Sequence, residues 1–416
     1  MKIVSAIKIL ALGSLSAGVI SFLSMAITAR FIDPIYFGQY AVFASIATIV
    51  AVISTLRADI LICQKRSKKR AGNLFLIAMF FVLIISILSF LLLISFGFYF
   101  FQPINDNYLI YSLLSLSIFS LGFFQSASSL SLHERNYKKI AKIRLIQAIL
   151  GGLVQVVFAM LYSDSMMALV FGFLIGQGFG GVLLLPKGCF KLSKRRLLEC
   201  TLIFVKNRKN LMLSTFSVFL LILSPMMPAI IISKFIGLHE AGIFYFAVQT
   251  TTIPFTFLRR IFSNVTLGEG QGLSSNSFFI FINRNTRRIL YLLLFTIIAF
   301  VIYFTYSEVI FEYAFGVEWK LSGRLSAILV PMFFVDMLSY SCFQFLNLKN
   351  KGSWLLKLEL FRFLSVVLGT LMFSMLGFSI ISVVSWYSFS MLISYSIVCV
   401  MVFQYFASER RKEYVA

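Results

Sequence analysis

The sequence predicts an all-α polytopic membrane protein. Hydrophobic residues make up 60% of the 416 residues and charged residues only 12%, whereas about a quarter of the residues in a typical soluble domain are charged. Apolar runs of about 20 residues, each long enough to cross a bilayer as a helix, recur from one end of the chain to the other. Because the bilayer core cannot satisfy open backbone groups, each of these runs is predicted to be helical.

The apolar runs define twelve predicted spans. The first span is too long for a cleaved signal peptide and is followed at once by another, so we expect it to stay in the membrane. No segment between spans is large enough for a soluble domain, and the longest outer loop is predicted near 307–324. The spans lie near residues 8–29, 37–62, 73–101, 107–131, 141–162, 166–186, 211–236, 240–266, 287–306, 325–347, 355–377 and 380–406.

The two halves of the chain echo each other. Arg30-Phe31-Ile32 ends one apolar run, and Gly38 stands at the start of the next. Lys234-Phe235-Ile236 and Gly242 repeat this arrangement in the second half, at the same spacing. Two copies of one membrane unit would produce such a pattern.

The echo predicts how the chain is divided. Residues 1–186 are predicted to form an N-terminal six-helix bundle. Residues 211–416 are predicted to form a second, pseudo-symmetric six-helix bundle with a short cytoplasmic tail. A basic cytoplasmic linker, residues 187–210, joins the two.

The basic residues occupy alternate loops. The net charge is +22, and most of the 37 Lys and Arg residues flank one set of loops. The exceptions are Arg30, Lys234, Lys320 and Arg324 on the other side, and Arg57 inside a span. This asymmetry follows the positive-inside rule and predicts that both termini are cytoplasmic. It explains the charge without nucleic acid, and the basic loops can contact anionic membrane lipids.

No chemical motif in the sequence predicts catalysis. The five cysteines include no CxxC pair, and an odd count on the reducing side of a membrane argues against disulfides. No His, Cys and carboxylate cluster has metal-binding spacing, and no Walker A motif is present, so we predict no metal, no cofactor and no catalytic residue. Gly176-Gln-Gly178-Phe-Gly-Gly181 matches a dinucleotide fingerprint, but it lies inside an apolar span. We therefore interpret this motif as a site of close helix packing.

Charged residues inside the spans are the candidate functional residues, because such groups are costly in a membrane. Arg57 and Asp59 lie near the end of the second span. On a continuous helix they would point to different sides and make poor partners. Arg57 either reaches the headgroups by snorkelling or has a function. The interval between the two repeats leads from Arg57 to a position beside Arg260, in Arg259-Arg260.

Three further charges leave two interpretations open. Arg30 and Lys234 stand at the outer ends of spans one and seven. They are either interfacial anchors or the cationic lining of a cavity that holds phosphate or an acidic sugar. Asp336 lies near the middle of span ten. It either makes a hydrogen bond between helices or binds a proton or sodium ion.

Four passages of the chain carry a resemblance to a known family. The chain resembles the Wzx-type O-antigen flippases, in the polysaccharide-transporter branch of the multidrug/oligosaccharidyl-lipid/polysaccharide (MOP) flippase superfamily. The passages cover nearly the whole chain. They are Thr28-Ala29-Arg30 with Asp33-Pro34, Phe37-Gly38 and Thr55-Leu56-Arg57-Ala58-Asp59; Gln125-Ser126 with Tyr137-Lys138-Lys139-Ile140-Ala141; Ala241-Gly242-Ile243-Phe244 with Ile253-Pro254; and Phe315-Gly316 with Glu318-Trp319.

The resemblance implies a fold and a function. The fold would be two six-helix bundles around a central cavity. The function would be transfer of an undecaprenyl-diphosphate-linked oligosaccharide, O-antigen or a related unit, to the outer leaflet of the bacterial inner membrane. Such a protein breaks no covalent bond and is not an enzyme. Its implied partners are that lipid, membrane lipids, H+ or Na+ as coupling ion, and polysaccharide polymerase or assembly proteins.

The resemblance also implies site residues. Arg30 and Arg57 fall where cavity cations are expected. Relatives often carry a basic residue shortly before the position of Pro254, whereas this chain has Ala247-Val248-Gln249 there. The second-half cation is then Arg259 or Arg260.

Two alternative functions stay open. One is a cation-coupled drug or small-molecule exporter of the same superfamily, for which the spans contain few carboxylates. The other is a membrane enzyme of polysaccharide assembly, a polymerase or an acyltransferase, for which the sequence offers no catalytic cluster.

Overall fold

The computed structural model describes most of the chain as helices. It describes residues 3–64, 67–100, 108–163, 165–185, 201, 203–269, 291, 297–348 and 352–415. Within these ranges the chain forms α-helices, one 3-10 helix and short turns, with no β-strand. The predicted fold class, an all-α polytopic membrane protein, is confirmed.

In the described part of the chain, seven helices end before the predicted linker, and six more extend from Arg208 to Val415. The first group is α1 (Ile3–Thr28), α2 (Pro34–Ser54), α3 (Ala58–Gln64), α4 (Lys68–Phe100), α5 (Tyr108–His133), α6 (Tyr137–Leu161) and α7 (Met167–Leu184). The second group is α8 (Arg208–Phe235), α9 (Leu238–Glu269), α10 (Ile297–Phe315), α11 (Lys320–Leu348), α12 (Gly352–Met375) and α13 (Ile380–Val415). A 3-10 turn, Val317–Trp319, links α10 and α11.

Each predicted span overlaps at least one helix in the described part of the chain, and the second covers both α2 and α3. Ten helical segments of the described chain are long and apolar enough to cross a membrane. The other two predicted spans fall on α1, whose apolar part is Gly13–Thr28, and on α9. The exact number of twelve membrane crossings stays a prediction.

The described chain divides into two compact units, Met1–Gly242 and Ile243–Ala416. In the first unit α1 packs on α6, α6 on α7, α5 on α7, and α2 on both α5 and α8. In the second unit α11 and α12 both pack on α13. The units divide after Gly242, so α8 belongs to the first of them. The bundle boundaries drawn from the sequence, 1–186 and 211–416, stay a prediction, and most of the linker at 187–210 lies outside the described residues.

Local sequence signals set the helix starts. The Asp33 carboxylate accepts a hydrogen bond from the Ile35 backbone N–H at 2.8 Å, and Pro34 occupies the first position of α2. The Asn136 side chain caps α6 in the same way, accepting from the Lys139 N–H at 3.4 Å. A polar cap followed by proline is a typical helix start, because it satisfies a free N–H and presets the backbone angle.

The glycine-rich motif lies within α7, as expected. Gly176 packs against Gly151 of α6, and Gly181 packs against the Phe123 ring of α5. These glycines allow close approach of neighbouring helices. The helix-packing interpretation of the motif is therefore confirmed.

The outer loop predicted at 307–324 is wrong. The helix α10 continues to Phe315, and α11 begins at Lys320, so only a short turn around Gly316 separates them. Two ion pairs join the helix ends, Lys320 to Glu312 at 3.3 Å and Arg324 to Glu308 at 3.8 Å. On each helix the two charges are one helical turn apart, and all four are paired across the hairpin.

The charge asymmetry predicts a topology that reporter fusions can test. A reporter at Phe190, in the predicted linker, is expected to report the cytoplasm. A reporter at Gly316, in the turn between α10 and α11, is expected to report the opposite side. Signals from the same side at both positions would contradict the twelve-span topology.

Candidate functional site

A polar cluster lies where the second span is broken, and we name it the Arg57 cluster: Thr55, Arg57, Asp59 and Gln125. The Asp59 carboxylate accepts hydrogen bonds from the Gln125 amide at 3.2 Å and from the Thr55 hydroxyl at 3.4 Å. The Arg57 guanidinium lies 3.8 Å from the same carboxylate. Gln125 belongs to α5, so the cluster joins the break in the second span to a neighbouring helix.

The backbone of this break is strained. Leu56 and Arg57 adopt φ angles of 44° and 58°, in the left-handed region that few residues other than glycine occupy. Such a residue costs on the order of 1–3 kcal/mol, and strain of this kind concentrates at binding and switch sites. Two consecutive strained residues at an intramembrane arginine therefore mark the break as a candidate functional site.

Two predictions about Arg57 and Asp59 are wrong. The span 37–62 is not continuous, because α2 ends at Ser54 and α3 begins at Ala58. The two side chains are ion-paired rather than poorly placed, with 21% and 11% of their side-chain surfaces exposed. The helix rule for residues two apart does not apply across the break, because the left-handed residues turn Arg57 back towards Asp59.

A second cluster lies in the second unit, and we name it the Asp336 cluster: Arg259, Asp336, Tyr340 and Tyr395. The Arg259 guanidinium donates to the Asp336 carboxylate at 2.9 Å and lies 4.7 Å from the centre of the Tyr340 ring. Tyr395 of α13 lies close to the same carboxylate. The ion pair joins α9 to α11, and both interpretations of Asp336 stay predictions.

The sequence analysis missed one buried ion pair. Glu359 and Arg362 are one helical turn apart in α12 and pair with each other. Their exposed fractions are only 2% and 5%, and Arg362 also lies 5.7 Å from the centre of the Tyr395 ring. The signal was present, because two opposite charges at this spacing within an apolar run predict a helical pair.

The remaining candidate cations lie at the ends of α1 and α8 and within α9. Arg30 follows the end of α1, Lys234 lies in the last turn of α8, and both are exposed. Arg260 lies in α9, and its side chain is outside the described part of the structure. The described residues contain no group of His, Cys, Asp and Glu side chains suited to a metal ion. The charged groups can hold an anion or a small cation, and they offer no nucleophile beside a general base.

The echoing glycines contact each other within the unit of residues 1–242. A Cβ atom on Gly38 would overlap the carbonyl oxygen of Leu238 and come close to the Gly242 N–H. A Cβ atom on Gly242 would overlap the carbonyl oxygen of Pro34 and come close to the Gly38 N–H. The contact is reciprocal, since Leu238 stands in the second repeat where Pro34 stands in the first. Such a reciprocal contact is what two symmetry-related copies form near their axis.

Side chains at these glycines are therefore expected to destabilise the protein. Gly38→Ala and Gly242→Ala each place a methyl group against backbone, which cannot move like a side chain. We expect each to lower the free energy of unfolding by about 1–3 kcal/mol. The matched control is Gly178→Ala in α7, where the new Cβ would meet only the Ser120 Cβ, at 4.0 Å. Thermal unfolding of the purified variants measures the difference, and equal stability of all three would contradict the contact.

Solved structures of membrane transport proteins are similar to this chain. The chain is similar to the lipid II flippase MurJ in an inward closed conformation, with a TM-score of 0.68 and 13% identity over 96% of this chain and 89% of that one. It is also similar to an inward-facing multidrug resistance MATE family transporter of the MOP superfamily, with a TM-score of 0.56 and 13% identity over 99% and 96% of the two chains. The fold is therefore that of the MATE transporters and MurJ.

The family follows from the sequence itself. The model of the family described as polysaccharide biosynthesis protein matches residues 27–324, and the chain belongs to that family. No curated protein matches the chain by sequence. The matched range contains the Arg57 cluster, both echoing glycines and Arg259.

Proposed function

We propose that this protein is a flippase for an undecaprenyl-diphosphate-linked oligosaccharide, an O-antigen or related repeat unit. It would carry the lipid from the cytoplasmic to the periplasmic leaflet of a bacterial inner membrane by alternating access, with both termini cytoplasmic. Membership of a polysaccharide biosynthesis family is the observation that carries the proposal. The shared fold with MurJ, a lipid II flippase, supports it. No covalent chemistry is required, so the protein is proposed not to be an enzyme.

The proposed substrate explains the cations. A diphosphate carries negative charge, and a bare charge is costly in a low-dielectric interior. Arg30, Arg57 and Lys234 are proposed to offset that cost along the path, with Arg260 as the second-half partner. Arg259 is held by Asp336 at 2.9 Å, so most of its charge is already balanced. We therefore propose that Arg259 holds Asp336 in position and that Asp336 serves helix packing.

A transporter for small organic cations is the second candidate, because the fold is shared with MATE transporters and Asp336 and Glu359 are buried carboxylates. Both carboxylates are paired with arginines. A paired carboxylate attracts a cationic drug less than a free one, which favours the oligosaccharide lipid.

Complementation distinguishes the two candidates. A strain that lacks its O-antigen flippase is transformed with this gene, and surface polysaccharide and lipid-linked repeat units are measured. We expect surface polysaccharide to return and the cytoplasmic lipid-linked units to fall. Expression across several such strains is needed because the sugar differs between them. Raised drug resistance without any surface polysaccharide would favour the exporter.

A further inference from the structure

An apolar groove runs between α12 and α13 in the second unit. Its volume is about 420 Å³, and it is lined by Trp354, Lys357, Leu358, Phe361, Ile397 and Met401. The floor is firmly packed, because Leu358 and its neighbours on α11, α12 and α13 form one buried cluster. The rim residues Trp354 and Phe361 are 42% and 47% exposed. The groove is thus a shallow, open recess over a packed floor, with an exposed aromatic edge.

The position of the groove determines what it faces. Both helices are apolar enough to span a membrane, over Trp354–Met375 and Ile380–Ser408. The groove lies at the end of the helix pair where α12 begins and α13 ends. Lys357 is five residues after Gly352, about 7.5 Å along the helix. A lysine at this depth can extend its amine to the headgroup region, and tryptophan favours the same region.

Charge determines which lipid suits the groove. Lys357 is the one charged residue of the lining, and no ion pair joins it to a carboxylate among the described residues. Lys320, Arg324, Arg259 and Arg362 each have such a pair. The nearest acidic residue in sequence, Glu359, is engaged with Arg362. The amine of Lys357 is therefore available to an anion at the membrane surface.

We propose that this groove binds an anionic glycerophospholipid, with the headgroup phosphate on Lys357 and an acyl chain along Phe361, Ile397 and Met401. The predicted topology places this end of the helices at the cytoplasmic leaflet, which is the leaflet that attracts basic residues through its negative lipids. A single lysine suits one phosphate, whereas a diphosphate is better held by paired arginines. The site does not depend on the transported substrate.

Lipid titration of the full-length purified protein tests the site. Delipidated protein is titrated with phosphatidylglycerol or phosphatidylcholine and analysed by native mass spectrometry and thermal unfolding. We expect tighter binding and a larger rise in Tm with phosphatidylglycerol. Lys357→Gln should weaken phosphatidylglycerol binding about fivefold, the loss for one basic residue near a membrane surface, and leave phosphatidylcholine binding unchanged.

Two further variants test the groove itself and the specificity of the effect. Met401→Trp fills the groove and should weaken binding of both lipids. Lys320→Gln removes an exposed lysine that pairs with Glu312 at the other end of the unit, and it should change neither. Equal binding of the two lipids by the wild type, or unchanged phosphatidylglycerol binding in Lys357→Gln, would overturn the proposal. Preference for undecaprenyl phosphate over phosphatidylglycerol would overturn the choice of occupant.

Discussion

Arg57→Ala is expected to remove most surface polysaccharide from a flippase-null strain that this gene otherwise complements, while the protein stays in the membrane. Arg57 stands at the strained break of the second span, beside Asp59 and with its Nε atom buried and without a hydrogen-bond partner in the structure. Loss of a hydrogen bond to a charged group costs about 1.5–3 kcal/mol, roughly ten- to hundredfold in binding. Arg57→Lys should retain more function, because the charge survives while the paired hydrogen-bond geometry is lost.

Three comparisons separate a role in transport from a role in folding. Arg30→Ala is expected to act like Arg57→Ala if both cations meet the substrate. Leu56→Gly removes the backbone strain at position 56, next to Arg57, because glycine adopts this φ at no steric cost. We expect this variant to keep its function. Lys320→Ala removes an exposed cation from the α10–α11 hairpin and should leave surface polysaccharide unchanged. Full complementation by the Arg30→Ala, Arg57→Ala double variant at matched expression would remove both residues from the mechanism.

Asp336→Leu and Arg259→Met are each expected to deplete the protein from the membrane. Arg259→Met leaves the buried Asp336 carboxylate without its partner, and breaking a buried pair costs about 3–5 kcal/mol. Asp336→Leu leaves Arg259 unpaired, and we expect a smaller loss because 32% of that side chain is exposed. The double variant Arg259→Met, Asp336→Leu should recover the protein level, because apolar replacement of a whole buried pair is often neutral or stabilising. We expect surface polysaccharide to recover with it, since the pair joins α9 to α11.

The same double variant tests the competing role of Asp336. If the carboxylate carried a coupling proton or sodium ion, the double variant would be present at the normal level and would export nothing. Quantitative membrane blots and surface polysaccharide from the same cultures measure both quantities. Glu359→Gln is a useful companion, because it disturbs the neighbouring pair with Arg362 and leaves the contact between Arg259 and Asp336 in place.

Much of the fold could be predicted from the sequence, because a membrane limits the available structures. The lengths of the apolar runs predicted where the helices lie, because a helix pairs its own backbone N–H and C=O groups without water. The echo of Gly38 in Gly242 marked the two residues that the structure brings into reciprocal contact. The chain shows a repeat there because backbone contact excludes any side chain.

The errors arose where pairing between distant residues overrides local pattern. The break at Thr55–Arg57 contains no proline or glycine, so its local sequence does not predict the end of a helix. Its position depends on Asp59, which Gln125 of a different helix holds in place. The loop predicted at 307–324 was also wrong, because the charges there pair between two helices and such pairing cannot be predicted from spacing within one segment. Only the pair of Glu359 and Arg362 could have been found by a closer reading.

Reconstitution in liposomes measures lipid transfer by this protein itself. Purified protein is incorporated into liposomes that carry a fluorescent undecaprenyl-diphosphate oligosaccharide, and a membrane-impermeant quencher measures how much of the label reaches the outer leaflet. We predict that liposomes with the wild-type protein expose all of the label, and that those with Arg57→Ala expose no more than empty liposomes within the same time. Equal exposure in wild-type and empty liposomes, under conditions where the protein is folded and unidirectionally inserted, would show that the protein does not transfer this lipid.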